Sequence, residues 1–257
     1  MVKRTAYQQV QAARRTDKMQ LTALITGLTS TWFELHGDRE RGDDPAVVAG
    51  LGRLADGPVV IVGIRKGANL TENQARHFGC ATPIGYRKVR RAYQLAAQLK
   101  WPVLALINTP GAYPGVTAEY QGQGRALADC LTTGLALPVP MVSVLVGEGG
   151  SGGALALACG DQVWASADST YSVLSPEGYA SILWKDAKRA PAAAKKMQLT
   201  PQDLKATGIV ERIIPEPQTQ QDCQDLATEL NTCFQQLQQL STEERLARRE
   251  ARYAQFK

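Results

Sequence analysis

The sequence predicts an α/β domain in which apolar strands are stacked between amphipathic helices. Residues 46–54 and 58–64 are apolar runs separated by an Asp-Gly pair at 56–57, which is the pattern of a β-hairpin. Residues 103–107 and 141–146 are apolar runs of the buried-strand type, each followed by a glycine-rich turn and a helical pattern. Strands that alternate with helices in this way are typical of a sheet with helices packed on it.

The elements around this core follow from local patterns. Residues 2–33 are predicted to be helical, because apolar side chains recur there at helical spacing: Leu21, Leu24, Ile25, Leu28 and Trp32. Residues 36–45 are a polar, turn-rich stretch, and the polar connection over residues 65–83 shows no clear period. Connections of that length are often functional. Helices are then predicted over residues 85–99 and 118–136.

The C-terminal half continues the alternation. Short strands are predicted at residues 162–165, 170–174 and 209–214. Ser175-Pro176-Glu177 begins a helix, because serine is a good N-cap and proline suits the first helical position. Ser241-Thr242-Glu243-Glu244 resembles a capping box that starts a final, basic helix. The helix predicted from residue 222 has one apolar face, formed by Cys223, Leu226, Leu230, Cys233, Leu237 and Leu240.

No break divides the alternation, so residues 1–257 are interpreted as a single domain. A core at about residues 34–216 lies between an N-terminal helix at about 2–33 and C-terminal helices at about 217–257. Of the 257 residues, 44% are hydrophobic and 21% are charged, which is ordinary for a globular protein. The formal net charge of +5 is a mild basic excess that suits an anionic substrate.

Composition argues against several classes of protein. No long Lys/Arg run appears, so no nucleic-acid partner is predicted. No apolar stretch approaches the roughly 20 residues that span a bilayer, so no membrane segment is predicted. The five cysteines are odd in number and form no CxxC pair, which argues against a disulfide framework and against a metal site on this chain. Reduced thiols in a cytoplasmic protein are the simple interpretation.

The most informative segment is the glycine loop, Gly147-Glu148-Gly149-Gly150-Ser151-Gly152-Gly153. It follows the strand predicted at residues 141–146 and precedes a buried helix predicted from Ala154. A glycine-dense turn from strand to helix leaves the first N–H groups of the helix free and aimed at one point. Such a point holds a phosphate, or an oxyanion that forms during a reaction.

Four interpretations of this loop compete. Gly147, Gly149 and Gly152 match the GxGxxG pattern of dinucleotide sites, but the acidic residue that such sites need is represented only by Asp168, in a polar turn. Residues 149–153 match GxSxG, but both histidines precede the serine, although a Ser–Lys arrangement remains open. A third interpretation is a tight turn that only packs a helix on a sheet. The fourth is an oxyanion hole with no protein nucleophile.

A second loop, which we call the proline loop (residues 108–115), favours the oxyanion hole. Its sequence, Asn-Thr-Pro-Gly-Ala-Tyr-Pro-Gly, also follows a predicted strand and precedes a predicted helix. Two rigid loops on neighbouring strands could each supply one N–H group to a single oxygen. One such loop alone is an ordinary turn, whereas the pair in this order is more specific.

Several motifs resemble those of a known family, the alpha subunits of the carboxyltransferase of bacterial acetyl-CoA carboxylase. The resemblance covers about residues 33–217, in order and at family-like spacing. Besides the glycine and proline loops, it rests on Gly37-Asp38-Arg39 with Asp43-Asp44-Pro45, Gly85-Tyr86-Arg87-Lys88, Ser172-Val173-Leu174-Ser175-Pro176-Glu177-Gly178, Ala180-Ser181-Ile182-Leu183-Trp184-Lys185 and Ile213-Ile214-Pro215-Glu216-Pro217.

The resemblance implies the crotonase (ClpP-like) fold, a spiral of ββα units, with helical extensions at both ends. It also implies an α₂β₂ heterotetramer whose active site lies between an alpha subunit and a beta subunit that carries a zinc ribbon. The implied reaction moves a carboxyl group from carboxybiotin, on the biotin carboxyl carrier protein, to acetyl-CoA. The product is malonyl-CoA for fatty-acid biosynthesis, and biotin carboxylase is a further implied partner. This chain has no Met-Lys-Met biotin-attachment motif and no zinc motif, which agrees with separate partners.

The resemblance also implies the site residues. In this family the biotin ureido anion can take the α-proton of acetyl-CoA, so the protein need not supply a base, and the alpha subunit is thought to cradle the biotin oxyanion. Carried over by motif, Gly152 and Gly153 are the catalytic N–H donors. The Gly111–Ala112 turn is the second wall, and Tyr113 either lines the biotin pocket or packs. The implied cofactor-binding residues are Gly111, Ala112, Tyr113 and Gly150.

Other residues carry further expectations. Glu148 is expected to orient the glycine loop or to pair with a cation, and His77 to be a surface loop residue. The run Ile64-Arg65-Lys66-Gly67 departs from the His-Gln-Lys-Gly that this family often has. Two alternatives stay open, a paralogue that only scaffolds a beta subunit and a carboxyltransferase or decarboxylase subunit for another acyl-CoA. Contacts with coenzyme A phosphates or a beta subunit, or else a solvated helix face, are expected for Arg87, Lys88, Arg90 and Arg91.

Overall fold

The computed structural model describes residues 4–55 and 57–256, which form one mixed eight-stranded sheet with helices on both faces. The strands are β1 (Thr31–Glu34), β2 (Val47–Leu54), β3 (Gly57–Ile64), β4 (Val103–Thr109), β5 (Met141–Gly150), β6 (Gln162–Ser166), β7 (Thr170–Ser172) and β8 (Arg212–Ile214). The helices are α1 (Ala6–Ala13), α2 (Leu21–Leu28), α3 (Leu70–Ala75), α4 (Pro83–Leu99), α5 (Val116–Tyr120), α6 (Gln123–Leu135), α7 (Ser151–Leu155), α8 (Pro176–Trp184), α9 (Ala190–Met197), α10 (Pro201–Ala206), α11 (Gln220–Gln238) and α12 (Thr242–Ala254). None of these helices, in the part of the chain that the structure describes, has both the length and the apolar character needed to cross a membrane.

The sheet is antiparallel at one edge and parallel in the middle. Strands β1, β2 and β3 pair antiparallel, and the predicted hairpin is confirmed, with Leu54 opposite Gly57. Its predicted turn residue Asp56 lies outside the described residues. Strands β3, β4, β5, β6 and β8 follow in parallel order, and β7 pairs with the end of β5. Because the carboxyl ends of β4 and β5 lie at the same edge, the loops that follow them are neighbours.

Both faces of the sheet are buried, which explains why its strands read as continuous apolar runs. Val60 and Val62 of β3 belong to the cluster that packs on α4 and α6. Val59 and Ile61 of the same strand belong to the opposite cluster, which packs on α2 and α11. This alternation is the two-residue period of a strand. The apolar face predicted for the helix after residue 222 is confirmed, because α11 packs that face on the second cluster.

The single helix predicted over residues 2–33 is wrong. The described part of this region, which leaves out residues 2 and 3, holds the two helices α1 and α2 and the edge strand β1. Trp32 is half-buried and lies opposite Gly52 of β2. The helical period seen from Leu21 to Leu28 is real, but Trp32 belongs to a strand whose partner comes later in the chain.

Two other segments differ from the predictions. The connection over residues 65–83 contains α3, and the Asn69 side chain caps it by accepting from the Glu72 N–H at 2.9 Å. The helix predicted over residues 118–136 is divided into α5 and α6 at Gly122, whose φ of 80° favours glycine. The remaining predicted elements are present with shifts at their ends.

Two buried arginines, Arg245 and Arg249, fasten the C-terminal helix α12 to the core. Ser241 caps this helix by accepting from the Glu244 N–H at 3.1 Å. Arg249 is 1% exposed and binds Asp161 through Nε and Nη2, both at 2.8 Å. Because α6 leaves its last carbonyl oxygens without helical partners, they need such donors. Arg249 also donates to the carbonyl oxygens of Gly134, Leu135, Leu137 and Val139.

Candidate active site at the glycine and proline loops

The glycine loop begins inside strand β5 rather than after it. The strand predicted to end at residue 146 continues to Gly150, because residues 148–150 pair with Thr170–Ser172 of β7. Helix α7 then begins at Ser151. The first half of the loop is therefore extended backbone held by a neighbouring strand, and the turn into the helix comes at Gly150 and Ser151.

The two loops follow neighbouring strands, as the sequence predicted, and they touch through their backbones. A Cβ atom placed on Gly150 would lie 2.0 Å from the Pro110 carbonyl oxygen. One placed on Gly153 would lie 2.5 Å from the Ala112 nitrogen and 2.6 Å from the Gly111 carbonyl carbon. These separations are too short for any side chain, so glycine at both positions is what allows the contact.

The proline loop is folded so that one of its N–H groups stays free. Thr109 is fully buried, and its hydroxyl accepts from the Gly111 N–H at 3.0 Å and donates to the Gly111 carbonyl at 2.8 Å. Gly111 has a φ of 149°, a region that favours glycine. The Tyr113 N–H donates to the Ala81 carbonyl at 3.0 Å. Between them, the Ala112 N–H has no acceptor within the described residues.

The first turn of α7 offers further donors on the other side of this contact. Gly152 and Gly153 are its second and third residues, so their N–H groups have no carbonyl acceptor within the helix. The N-cap, Gly150, has no side chain to cap them. Gly152 is exposed, and a Cβ there would meet no described atom within 4 Å beyond its chain neighbours and its own helix, whereas Gly153 is buried against the proline loop. Gly153 therefore lies beside the Ala112 nitrogen, and Gly152 precedes it in the same turn.

The geometry does not support a serine nucleophile or a dinucleotide site. Ser151 lines an apolar cavity of about 550 Å³ with Leu155 and Tyr171. The described residues that line this cavity include no His, Lys, Asp or Glu, so no base faces the hydroxyl. Asp168, the candidate for the acidic residue of the dinucleotide pattern, is buried and ion-paired with Arg4.

Tyr113 packs against the turn that follows α3. Its ring stacks on the imidazole of His77, with ring centroids 4.2 Å apart and planes at 26°. The ring also lies over Gly115, where a Cβ would be 2.3 Å from it. The structure thus shows that Tyr113 packs, while its contact with biotin stays a prediction. His77, expected to be a surface loop residue, is half-buried in a 3₁₀ turn.

Glu148 is the acidic residue of the glycine loop, and two cations hold its carboxylate. Arg14, at the end of α1, donates to one oxygen through Nε at 2.6 Å, and the Lys66 ammonium binds the other. Burial, the largest influence, raises the pKa of Glu148, but Lys66 and Arg14 outweigh it and hold the pKa below its ordinary value. The expected cation pairing is confirmed. Sequence reasoning missed Arg14, which lies 134 positions away.

The sequence matches one family model over nearly its whole length. Residues 2–257 match the model described as "Acetyl co-enzyme A carboxylase carboxyltransferase-like". The chain belongs to this family.

Relatives of this chain carry the corresponding name. The acetyl-coenzyme A carboxylase carboxyl transferase subunit alpha of Streptococcus pyogenes serotype M5 (strain Manfredo) is 55% identical over 185 residues, which cover 72% of this chain and 72% of the relative. The same subunit of Streptococcus equi subsp. zooepidemicus (strain MGCS10565) is 50% identical over 202 residues, covering 78% of this chain and 79% of the relative.

A solved carboxyltransferase shares the fold of this family member. Transcarboxylase 12S, crystallised with methylmalonyl-coenzyme A and methylmalonic acid bound, matches with a TM-score of 0.71 at 20% identity. The match covers 85% of this chain and 42% of that chain, so this chain spans about two fifths of its length. The predicted crotonase-type α/β fold is confirmed, and at this identity the likeness shows the fold alone.

Two of the motifs that marked the resemblance to the carboxyltransferase family brace the start of the fold. Arg87 binds Asp38 at 2.8 Å. Lys88 is 1% exposed, binds Asp43 at 2.8 Å and donates to the Val47 carbonyl at 2.9 Å. A solvated helix face is therefore wrong for Arg87 and Lys88, because carboxylates hold both cations, and phosphate contact is wrong for the buried Lys88. For the half-buried Arg87, contact with a phosphate or a beta subunit stays a prediction.

The departure from the family pattern at residues 64–67 does not remove the contact with the glycine loop. Ile64 ends β3 in the core, and Arg65 donates to the Pro45 carbonyl at 3.0 Å. Lys66, which the His-Gln-Lys-Gly pattern also contains, is the residue that binds Glu148. Arg90 and Arg91 on α4 are half-buried. Arg90 contacts Asp129 at 3.5 Å, and Arg91 donates to the His36 carbonyl at 3.2 Å. Contacts of either residue with a ligand or a partner stay predictions.

Proposed function

We propose that this chain is the alpha subunit of a bacterial-type acetyl-CoA carboxylase carboxyltransferase. With a beta subunit, it transfers the carboxyl group of carboxybiotin to acetyl-CoA and forms malonyl-CoA for fatty-acid biosynthesis. The observation that carries the proposal is the contact between the glycine and proline loops, which gathers free N–H groups from both loops beside an open space. The names of the two streptococcal relatives support the same activity.

The two loops fit a negatively charged oxygen. When bound, carboxybiotin supplies the carboxyl group that is transferred. In our assignment the N–H groups of Gly152 and Gly153 donate to the oxygen on which negative charge grows, and Ala112 closes the opposite side. Donors fixed in advance need no rearrangement as the charge appears, and losing one raises the barrier by about 3 kcal/mol. The open space over Gly152 is the room that such an occupant needs.

The remaining predicted site residues shape this cradle. Gly150 sets the separation of the loops by its contact with Pro110, and Gly111 turns the proline loop back on Thr109. We assign Gly111, Ala112, Gly150 and Tyr113 to the biotin side of the site. The apolar cavity beside Gly152 has no basic or acidic group other than Arg252 among its described lining residues. This chain therefore offers no proton acceptor there, and we assign proton removal to another component of the complex.

The surface around Gly152 supports a partner chain. Leu155, Val173 and Phe256 line the same cavity and are 38%, 77% and 43% exposed. Exposed apolar side chains that border a site mark an interaction surface. We assign this surface to a zinc-ribbon beta subunit in an α₂β₂ assembly that receives the biotin carboxyl carrier protein and works with biotin carboxylase. We place the complex in the cytoplasm, in keeping with the five free cysteine thiols.

Reconstitution tests this proposal. The chain is mixed with a beta subunit, a carboxylated biotin carrier and acetyl-CoA, and malonyl-CoA is followed with time. We expect turnover only when both subunits are present. Turnover by this chain alone would contradict its role as a subunit. Tight assembly without turnover would favour the scaffold alternative, and turnover only with a longer acyl-CoA would favour another acyl-CoA substrate.

A further inference from the structure

We propose that Glu148, clamped by Lys66 and Arg14, is a positioning residue that fixes the donor end of the glycine loop. This inference rests on the proposed function and deepens it, because it concerns residues that hold the oxyanion cradle in place without touching the substrate. The three residues come from the end of β5, the segment after β3 and the end of α1.

The clamp fastens Glu148 by its side chain and by its backbone. The carboxylate is 12% exposed and uses one oxygen for each cation, Arg14 through Nε and Lys66 through its ammonium. The Glu148 N–H donates to the Asn108 side-chain oxygen at 3.2 Å. Since Asn108 begins the proline loop, Glu148 is bound to that loop while it lies in the glycine loop itself. A Cβ on Gly147 would lie 2.3 Å from that Asn108 oxygen, so the approach needs a glycine there.

Arg14 carries the connection onward to α8. Its two terminal nitrogens bind the two oxygens of Glu177 at 2.9 and 3.2 Å. Glu177 lies in the first turn of α8, and Tyr7 of α1 donates to it at 3.3 Å. Lys66, Glu148, Arg14 and Glu177 therefore form a row of alternating charges that sums to zero. Charged hydrogen bonds in such a network hold geometry more tightly than neutral ones.

Lys66 and Arg14 line a neighbouring cavity, but their charges are already paired with carboxylates and are not free to bind an anionic ligand. A cavity of about 440 Å³ is lined by both cations and by Arg15 and Lys18. Each of these four has an anionic partner already. Lys18 binds Glu216 at 3.0 Å, Arg15 binds Asp17 at 2.7 Å, and the other two bind Glu148.

The position of Glu148 gives the clamp a role in the chemistry. The predicted donors Gly152 and Gly153 follow Glu148 by four and five residues, across the end of β5 and the first turn of α7. By holding Glu148, the two cations hold the backbone that leads to the donors. A misplacement of about 1 Å in such a site costs about 100-fold in rate.

The test uses the complete complex with a beta subunit, a carboxylated carrier and acetyl-CoA. Glu148→Gln and Lys66→Met are expected to lower kcat about 100-fold while KM for the carrier and for acetyl-CoA changes less than threefold. The double variant is expected to be no slower than the slower single one, because both changes break one contact. Lys66→Arg restores the cation and is expected to recover at least a tenth of the wild-type kcat.

The pH profile supplies a readout that a purely structural role would not move. Lys66 and Arg14 are the titratable groups that lower the pKa of Glu148, and Glu148 in turn helps to raise the pKa of the nearby Cys80 thiol. In Lys66→Met, burial raises the pKa of Glu148, so the carboxylate takes up a proton at higher pH than in the wild type. We expect the kcat of this variant to fall on the acid side at a higher pH than the kcat of the wild type.

Matched controls and assembly measurements separate the outcomes. Glu244→Gln and Lys188→Met make the same changes at exposed positions and are expected to leave kcat unchanged. Wild-type kcat in both clamp variants would overturn the inference and leave the proposed function standing. The inference would also be overturned if activity fell only in proportion to lost assembly of the complex, while the acid limb of the kcat profile did not shift in Lys66→Met and kcat did not recover in Lys66→Arg. No turnover by the wild-type complex would overturn the proposed function and this inference with it.

Discussion

The two glycines assigned as donors differ in what surrounds them, and this difference makes a paired prediction. Alanine at Gly152 would place its Cβ in open space, and the helical backbone accepts it. Because alanine restricts the unfolded chain more than glycine, Gly152→Ala is expected to raise the free energy of unfolding by about 0.4–1 kcal/mol. Alanine at Gly153 would collide with the Ala112 nitrogen at 2.5 Å and with the Tyr86 hydroxyl oxygen at 2.8 Å.

Overpacking of that kind costs about 1–3 kcal/mol, so Gly153→Ala is expected to lower Tm by several degrees. Activity should follow a different pattern. Gly152→Val fills the space over the donors while the protein stays folded, and we expect at least a 100-fold loss of kcat/KM in a complex that still assembles. Thermal unfolding and malonyl-CoA formation measure the two effects separately. A Gly152→Val complex with near-normal turnover, or a Gly153→Ala protein with unchanged Tm, would refute the reasoning.

Three further predictions concern stability. Arg249→Met leaves the buried Asp161 carboxylate without its cation, so the free energy of unfolding should fall by about 3–5 kcal/mol in a denaturant titration. A loss below about 1 kcal/mol would show that Arg249 and Asp161 do not form a buried ion pair. Burial, the largest influence, raises the pKa of Asp43, but hydrogen bonds, first among them the one from Lys88, lower that pKa to about 2. The stability that ionised Asp43 contributes is therefore fully present above its ordinary pKa of 3.8 and is lost as the pH falls towards 2. Acid unfolding of Lys88→Met should therefore occur at higher pH than that of the wild type, and an unchanged midpoint would contradict this pairing. The buried Tyr86 hydroxyl has no hydrogen-bond partner among the described residues, so Tyr86→Phe should keep or raise the unfolding free energy, whereas a loss above about 1 kcal/mol in the same titration would reveal a partner.

The core of the fold was predictable because its determinants are local. Strands such as β3 and β4 are buried on both faces, so each is an apolar run with turn residues at its ends. The edge strand β1 was missed because only its pairing with β2 separates Trp32 from the helical pattern before it. Helix α3 did carry a local signal, Asn69 with Glu72 three residues later, which is a good N-cap pair.

The candidate site was predictable in its backbone and not in its side chains. The sequence predicted two loops on neighbouring strands, and glycine at 150 and 153 is what allows their two backbone segments to approach. The partners of Glu148 are set by the tertiary fold, because Arg14 and Lys66 come from segments far from it in the sequence. A carboxylate inside a glycine-rich turn was itself a signal, since burial there requires a cation. The burial of Lys88 was not predicted, because the sequence around it does not distinguish a buried lysine from an exposed one.

The central claim is that this chain provides half of a shared carboxyltransferase site. The most direct measurement is the initial rate of malonyl-CoA formation from a carboxylated carrier and acetyl-CoA, with this chain alone, with a beta subunit alone, and with both. The account predicts turnover only when both subunits are present. It also predicts that turnover is lost when the Gly152→Val variant replaces this chain in the mixture. Turnover by this chain without a partner, or a stable mixed complex with no turnover, would contradict it.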